Sequence, residues 1–389
     1  MKRTGIIWLL LFFASANVLL SEETDRRRPV KIHTSAKALR NGAPFEFREM
    51  DEQIGALRLK YDLPGITVAV VRNDRLVYIN CYGVDDVKTQ TPVRNTSLFR
   101  IASLSKPVTV IALLRLMQSG KLSMDSPVFG REGLLKDDFG SLPDSSDWNR
   151  ITVRHLIEHK SGLQNIPDDP MFSYRGLTSK EIITEVIAGR PLATKPGAQY
   201  YYSNTGYNIL GRVIEKVSGM EYESYVKENV LLPCGITRMR TGGNTREERF
   251  PGEVTYEQPD EPGWPYGMDV SRMDSHGGWI ASATDLARFM AHINRIITDT
   301  TLLAQTYMNS AHWNHSGSLP GTATFLERMD DTFSFVILIN KRSSDRNFWH
   351  DVPAALRTAI TSRTSWPDID LFGKIRNVRL TPECRQLKN

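Results

Sequence analysis

The order of the hydrophobic patterns constrains this chain most. β-rich runs lie near both ends, and helical periodicity fills the middle. Ile66 to Val71 and Leu76 to Ile79 flank Arg72-Asn73-Asp74-Arg75, which reads as a strand–turn–strand hairpin. Thr322 to Leu326 and Thr332 to Ile339 are β-rich again. Between them, Leu104, Val108, Ile111, Leu114 and Met117 predict an amphipathic helix, with Gly120 as its stop. Helical stretches follow over 152–159, 178–189, 206–218 and 221–230, separated by loops rich in Pro, Gly and Asp, and another helix runs from Ser282 to Ile297. Helices over Glu49 to Tyr61 and Asp351 to Thr361 bracket the whole. This order predicts an α+β fold. An antiparallel sheet flanked by helices is built from both termini, with a mainly helical domain inserted. At 389 residues the chain exceeds the roughly 250–300 at which single cores stop growing, so two lobes are expected. Residues 48–100 and 276–370 form the sheet lobe and 101–275 the helical lobe; 22–47 is a leader and 371–389 a C-terminal tail.

The first residues read as a secretory signal peptide. Lys2 and Arg3 precede an apolar run from Ile6 to Ala14, then the small-x-small site Ala14-Ser15-Ala16. Cleavage is expected after Ala16, or as late as Ser21. Even taken on to Leu20 the stretch is 15 residues, interrupted by Ser15 and Asn17, and a span needs about 20. The mature chain is therefore expected to be secreted or periplasmic, with no stable membrane span. A net charge of +5 with no long basic run gives no footprint for nucleic acid. Cys81, Cys234 and Cys384 are too few and scattered for a disulfide scaffold or a cysteine zinc site. Asn95-Thr96-Ser97 and Asn314-His315-Ser316 fit the glycosylation pattern. A glycan on Asn314 would crowd the site proposed below.

Chemistry is concentrated in Ser103-Leu104-Ser105-Lys106, at the start of the long helix. A serine hydroxyl is a poor nucleophile until a neighbour takes its proton. A lysine three residues on stands one helical turn away on the same face. The helix start also offers free backbone N–H groups for a developing oxyanion. Such short patterns recur by chance. Ser224/Lys227 repeats the first, Tyr78/Asn80 repeats Tyr202/Asn204, and His276 before Gly277-Gly278 repeats His315/Gly317. Context separates them. Ser224 lies inside a helical run, Tyr78 in the hairpin upstream of the serine, and His276 precedes a helix start rather than a strand.

With those residues in place the chain resembles the class C β-lactamase-like serine hydrolases, in the β-lactamase and penicillin-binding-protein superfamily. The resemblance covers residues from about 48 to 362. It rests on Phe99-Arg100-Ile101-Ala102-Ser103 with Ser105-Lys106-Pro107, on Ile151 to Leu156 through Ser161-Gly162-Leu163, on Pro196-Gly197 with Tyr202-Ser203-Asn204-Thr205-Gly206-Tyr207 and Leu210-Gly211, and on Gly277-Gly278 through Asp285-Leu286-Ala287. It implies that Ser103 is the acyl-forming nucleophile and that Lys106 and Tyr202 share the acid–base work. Asn204 would orient Lys106 and a substrate amide. His315 sits where many members carry lysine, and Gly317 would let a substrate lie against the edge strand. Backbone N–H groups of Ser103 and Ser318 would form the oxyanion hole. The implied substrate is a small ester, amide or peptide, and no cofactor or metal is implied; the oligomeric state stays open.

Two departures from that pattern follow. A histidine at 315 is mostly neutral near pH 7 and supplies no fixed cation for a substrate carboxylate, which disfavours efficient penicillin hydrolysis. Only 25 residues run from Met290 to Asn314, where the family usually carries more, including a further strand. Losing a strand beside the site would leave backbone groups unpaired. That shortening motivates a second reading, a pseudo-hydrolase that binds a ligand or cell-wall peptide without turnover. A third is a zinc peptidase: His155, Glu158 and His159 have His-x-x-Glu-His spacing, with two histidines at i and i+4 on a helix. The plainer account of these histidines is packing inside the helical domain.

Overall fold

The computed structural model describes residues 47–258, 260, 264–308 and 312–374. The signal-peptide and leader readings, apart from Phe47, lie outside the described residues, as do Cys384 and the tail beyond Lys374.

In chain order, α1 (Arg48–Lys60) leads into the hairpin β1 (Gly65–Arg72) and β2 (Arg75–Asp86), then the short β3 (Thr91–Pro92) and β4 (Phe99–Arg100). The central helix α2 (Ser105–Gln118) follows. After it come α3 (Val153–Ile157), α4 (Pro170–Ser173), α5 (Ser179–Gly189), α6 (Asn204–Ser218) and α7 (Tyr222–Val226). The short strands β5 (Arg240–Thr241) and β6 (Trp279–Ala281) precede α8 (Ala283–Ile296) and α9 (Thr300–Leu303). Strands β7 (Trp313–Leu319), β8 (Thr322–Arg328) and β9 (Phe333–Ile339) and helix α10 (Phe348–Thr361) close the fold.

The main sheet is antiparallel with strand order β3-β2-β1-β9-β8-β7, so the two ends of the chain meet where β1 pairs with β9. Both faces are covered. Val68, Val70, Phe335 and Ile337 pack with α1 and α10, while Ala69, Val71, Val336 and Leu338 join the core formed with α2, α6 and α8. Double coverage explains why Ile66 to Val71 reads as a nearly continuous apolar run. Among the described residues no helix is long and apolar enough to cross a membrane.

Several sequence expectations are corrected. Helix α2 is not amphipathic: Ser105 through Leu114 are all buried, as are Leu116 and Met117, because it runs through the centre of the core. The stretch 152–159 is helical only over Val153–Ile157. The segment after His276 holds a strand after all, β6, whose Trp279 to Ala281 pair with β4 on one side and β5 on the other. Three residues are too few to carry a readable period. The first residues of the expected tail pack on the sheet, with Leu371 N–H donating to the Leu76 carbonyl at 2.8 Å.

Candidate active site

The turn that carries Ser103 is held from three sides. Ile101 N–H donates to the Trp279 carbonyl at 2.9 Å, and on β8 the Thr324 hydroxyl donates to the Ile101 carbonyl at 3.0 Å. The Ser105 hydroxyl donates back to the Ala102 carbonyl at 2.7 Å. Ala102 has φ +48°, in the left-handed region that costs a non-glycine residue strain. The kink turns β4 sharply into α2 and leaves Ser103 on the wall of a cavity.

Lys106, one turn into this region, is fully buried. Its Nζ lies 2.7 Å from Asn204 Oδ1, 2.8 Å from the His276 carbonyl oxygen and 3.3 Å from Ser103 Oγ. Burial lowers its pKa to about 7, against an opposing pull from Asp169. The arithmetic of donors then matters. A neutral amine has two N–H groups and one lone pair. The two shorter contacts are to oxygens that can only accept, so they take both N–H groups. The lone pair is left for the Ser103 hydroxyl. Tyr202 donates its O–H to Ser103 Oγ at 2.7 Å. Burial pushes the Tyr202 phenol well above its usual range, so it stays protonated. Asn204 is the first residue of α6, whose start is capped by the Ser203 hydroxyl accepting from Gly206 N–H at 3.1 Å. Its Nδ2 donates to Asp169 Oδ2 at 2.6 Å, which fixes the amide so that Oδ1 faces Lys106.

On the other side of the cavity runs β7, the edge of the sheet. Leu319 pairs with Thr322 across the two-residue turn Pro320-Gly321. Residues flanking such a turn form a hydrogen-bonded pair, and bonded pairs alternate along the ladder. The main-chain groups of Ser316 and Ser318 therefore point to the free edge, into the cavity. Among the described residues between Met290 and Trp313 there is no extra strand, only the end of α8 and α9. The strand edge that the short segment leaves uncovered thus faces the cleft, where the Ser316 carbonyl meets His315 Nδ1 at 2.9 Å. Gly317 is packed closely against the turn that carries Ser103. A Cβ there would meet the Ile101 carbonyl, the Thr324 hydroxyl and, at 3.1 Å, the Ala102 Cβ. Its missing side chain lets β7 close on the turn that carries Ser103. The cavity measures about 500 Å³ and is lined by Ser103, Tyr202, Asn204, His315 and Ser318 among others.

The family model described as Beta-lactamase matches residues 47–357. The chain belongs to the beta-lactamase family. A penicillin-binding protein of Bacillus subtilis strain 168 is 30% identical over 188 residues, a match covering 46% of this chain and 38% of that protein. The chain thus matches well under half the length of that relative. Among solved structures, D-amino acid amidase from Ochrobactrum anthropi SV3 superposes with a TM-score of 0.65 at 20% identity, covering 80% of this chain and 99% of that one. An octameric penicillin-binding protein homologue from Pyrococcus abyssi gives 0.65 at 22%, covering 82% and 78%. At these identities the solved structures establish a shared fold.

Within this beta-lactamase-family fold the zinc reading loses its geometry. His159 has φ +56° and lies beyond the end of α3, so it is not one helical turn from His155. The His155 Nδ1 accepts from Thr152 N–H at 3.2 Å, closing the cap of α3, and Glu158 pairs with Lys160 at 2.9 Å. Among the described residues no group of three acidic, histidine or cysteine side chains could hold a metal ion. His315 lines the cavity with its ring half-buried, and burial and Lys106 push its pKa down, so the ring is neutral. Asn314 also lines the cavity. Two participants were invisible in the sequence. Asp169 caps α4 and anchors Asn204, and His276 contributes a main-chain carbonyl, which no side-chain motif encodes.

Proposed function

We propose that the chain is a serine hydrolase acting through an acyl-enzyme on a small ester or amide that carries no charge near the scissile bond. The observation that carries this reading is Ser103 Oγ standing 3.3 Å from the Lys106 amine and 2.7 Å from the Tyr202 hydroxyl in one cavity. Lys106 takes the Ser103 proton as Oγ attacks the substrate carbonyl carbon. The oxyanion that forms is held by the N–H groups of Ser103 and Ser318. When the tetrahedral species collapses, the bond to the leaving group breaks. Tyr202 protonates that group, and Lys106 returns the proton to Tyr202. Water then hydrolyses the acyl-Ser103 ester by the reverse sequence. The uncharged substrate follows from the lining: among the described residues it includes no lysine or arginine, and Phe172, Met273 and Leu319 make one wall apolar. The signal-peptide pattern supports export, with residues 101–275 as the helical lobe over the sheet lobe. Burst release of a chromogenic leaving group tests the reading. A stoichiometric burst supports it, and saturable binding with no burst leaves a ligand-binding pseudo-hydrolase.

kcat/KM on an uncharged ester should rise with pH and reach half its plateau near pH 7. Below that pH Lys106 is protonated and its lone pair is occupied. A profile that is flat or falls from pH 6 to 8 contradicts Lys106 as the base. Replacing His315 with lysine should lower KM about fivefold for an ester bearing a carboxylate while leaving a neutral ester nearly unchanged, because it restores a cation at the rim. Paired kinetics on the two esters check it.

A further inference from the structure

Against the Tyr202 ring sits His159. It occupies the residue after the C-cap of α3 in a Schellman-type ending: Lys160 N–H donates to the His155 carbonyl at 2.7 Å and His159 N–H to the Leu156 carbonyl at 3.3 Å. Its φ of +56° is the conformation for which glycine is the least strained choice. A histidine there costs strain that the turn itself does not require, so its ring needs another reason. The surroundings supply one. The His159 carbonyl accepts from Tyr201 N–H at 2.7 Å, and its Nδ1 accepts from Ser203 N–H at 3.1 Å. Its ring lies 4.5 Å from the Tyr202 ring at an interplanar angle of 34°. One residue thus grips three consecutive ones, 201 to 203, by main chain, ring face and main chain again. Ser203 in turn caps the helix that begins with Asn204.

We propose that His159 is a positioning residue for the acid–base pair, holding the Tyr202 hydroxyl on Ser103 and setting the start of α6 that aims Asn204 at Lys106. The proposal rests on the acyl-enzyme reading of Ser103. Nδ1 must be an unprotonated acceptor for this. The groups facing the ring are Lys106 from α2, His315 from β7, Tyr207 from α6, and Tyr200 and Tyr202 from the segment before α6. Burial, with Lys106 and His315 adding to it, lowers the His159 pKa to about 3, so the ring is neutral at working pH.

Two variants of the full chain separate positioning from mere turn formation, read as kcat, KM and Tm on an uncharged chromogenic ester. His159→Gly keeps or eases the left-handed turn and removes the ring. kcat should fall about tenfold or more with KM changed far less and Tm held, since small misplacements of a catalytic group are costly. His159→Asn tolerates the same φ and puts an amide oxygen in the place of Nδ1. It should recover most of the lost kcat. Full kcat in His159→Gly overturns the proposal, as does an asparagine variant no better than the glycine one. A glycine variant whose Tm collapses with its activity makes the ring structural and overturns it too. Phosphonate labelling of Ser103 in the parent chain reads the underlying acyl-enzyme independently: if that fails, the hydrolase reading has failed rather than the part assigned to His159.

Discussion

Replacing Ser103 with alanine should cut turnover of a chromogenic ester by about a thousandfold or more, and Lys106→Met should do nearly the same. Removing either leaves the other with nothing to act on. Without the hydroxyl no acyl bond forms. Without the amine, Tyr202 is the hydrogen-bond partner left to Ser103 Oγ among the described residues, and that phenol is itself protonated and donating to Oγ. The double variant Ser103→Ala/Lys106→Met should therefore cost at most about threefold more than either single one, because members of one catalytic unit are not additive. Costs that multiply would mean that the two residues act independently. Replacing Lys106 also removes a buried group that holds Asn204 and the His276 carbonyl, so the comparison is made on variants whose urea midpoints show them folded.

The second large effect is expected from Gly317→Ala. The added methyl has nowhere to go. It would meet the Ile101 carbonyl, the Thr324 hydroxyl and, at 3.1 Å, Ala102 Cβ. Two of these three belong to the turn that presents Ser103. Relief requires β7 to move away from that turn, which separates the Ser318 N–H from Ser103 Oγ. Overpacking of this kind costs about 1–3 kcal/mol, and widening the oxyanion hole should cost about 10–100-fold in kcat. Urea unfolding and steady-state kinetics check both. A variant with unchanged stability and kcat would contradict the close packing of β7 on the nucleophile turn.

The sequence carried the parts of this molecule that depend on local spacing. A lysine three residues after a serine at a helix start is legible because a helix fixes where both side chains point. The alternation of β-rich ends and a helical middle was legible because it reflects which segments share a core. Longer-range facts were not. Nothing near residue 169 marks Asp169 as the anchor of Asn204, since the contact joins a cap to a helix start 35 residues away. The His276 carbonyl is a main-chain group, so any residue type at that position would offer it. The spacing of His155, Glu158 and His159 suggested one helix face, but spacing alone could not reveal that the helix ends after Ile157 and that His159 turns left-handed. The contact of Gly317 with the Ser103 turn is of the same kind, since Ile101 and Ala102 lie more than 200 residues earlier in the chain.

The central claim is that Ser103 forms the acyl bond with Lys106 as its base. Intact-protein mass spectrometry after exposure to a serine-reactive phosphonate, followed by peptide mapping, tests it most directly. The expected result is one adduct per chain on the peptide holding Ser103, formed faster as pH rises through about 7 and suppressed in Lys106→Met. An adduct on another serine such as Ser224, or ester turnover that continues with Ser103 unlabelled, would contradict it.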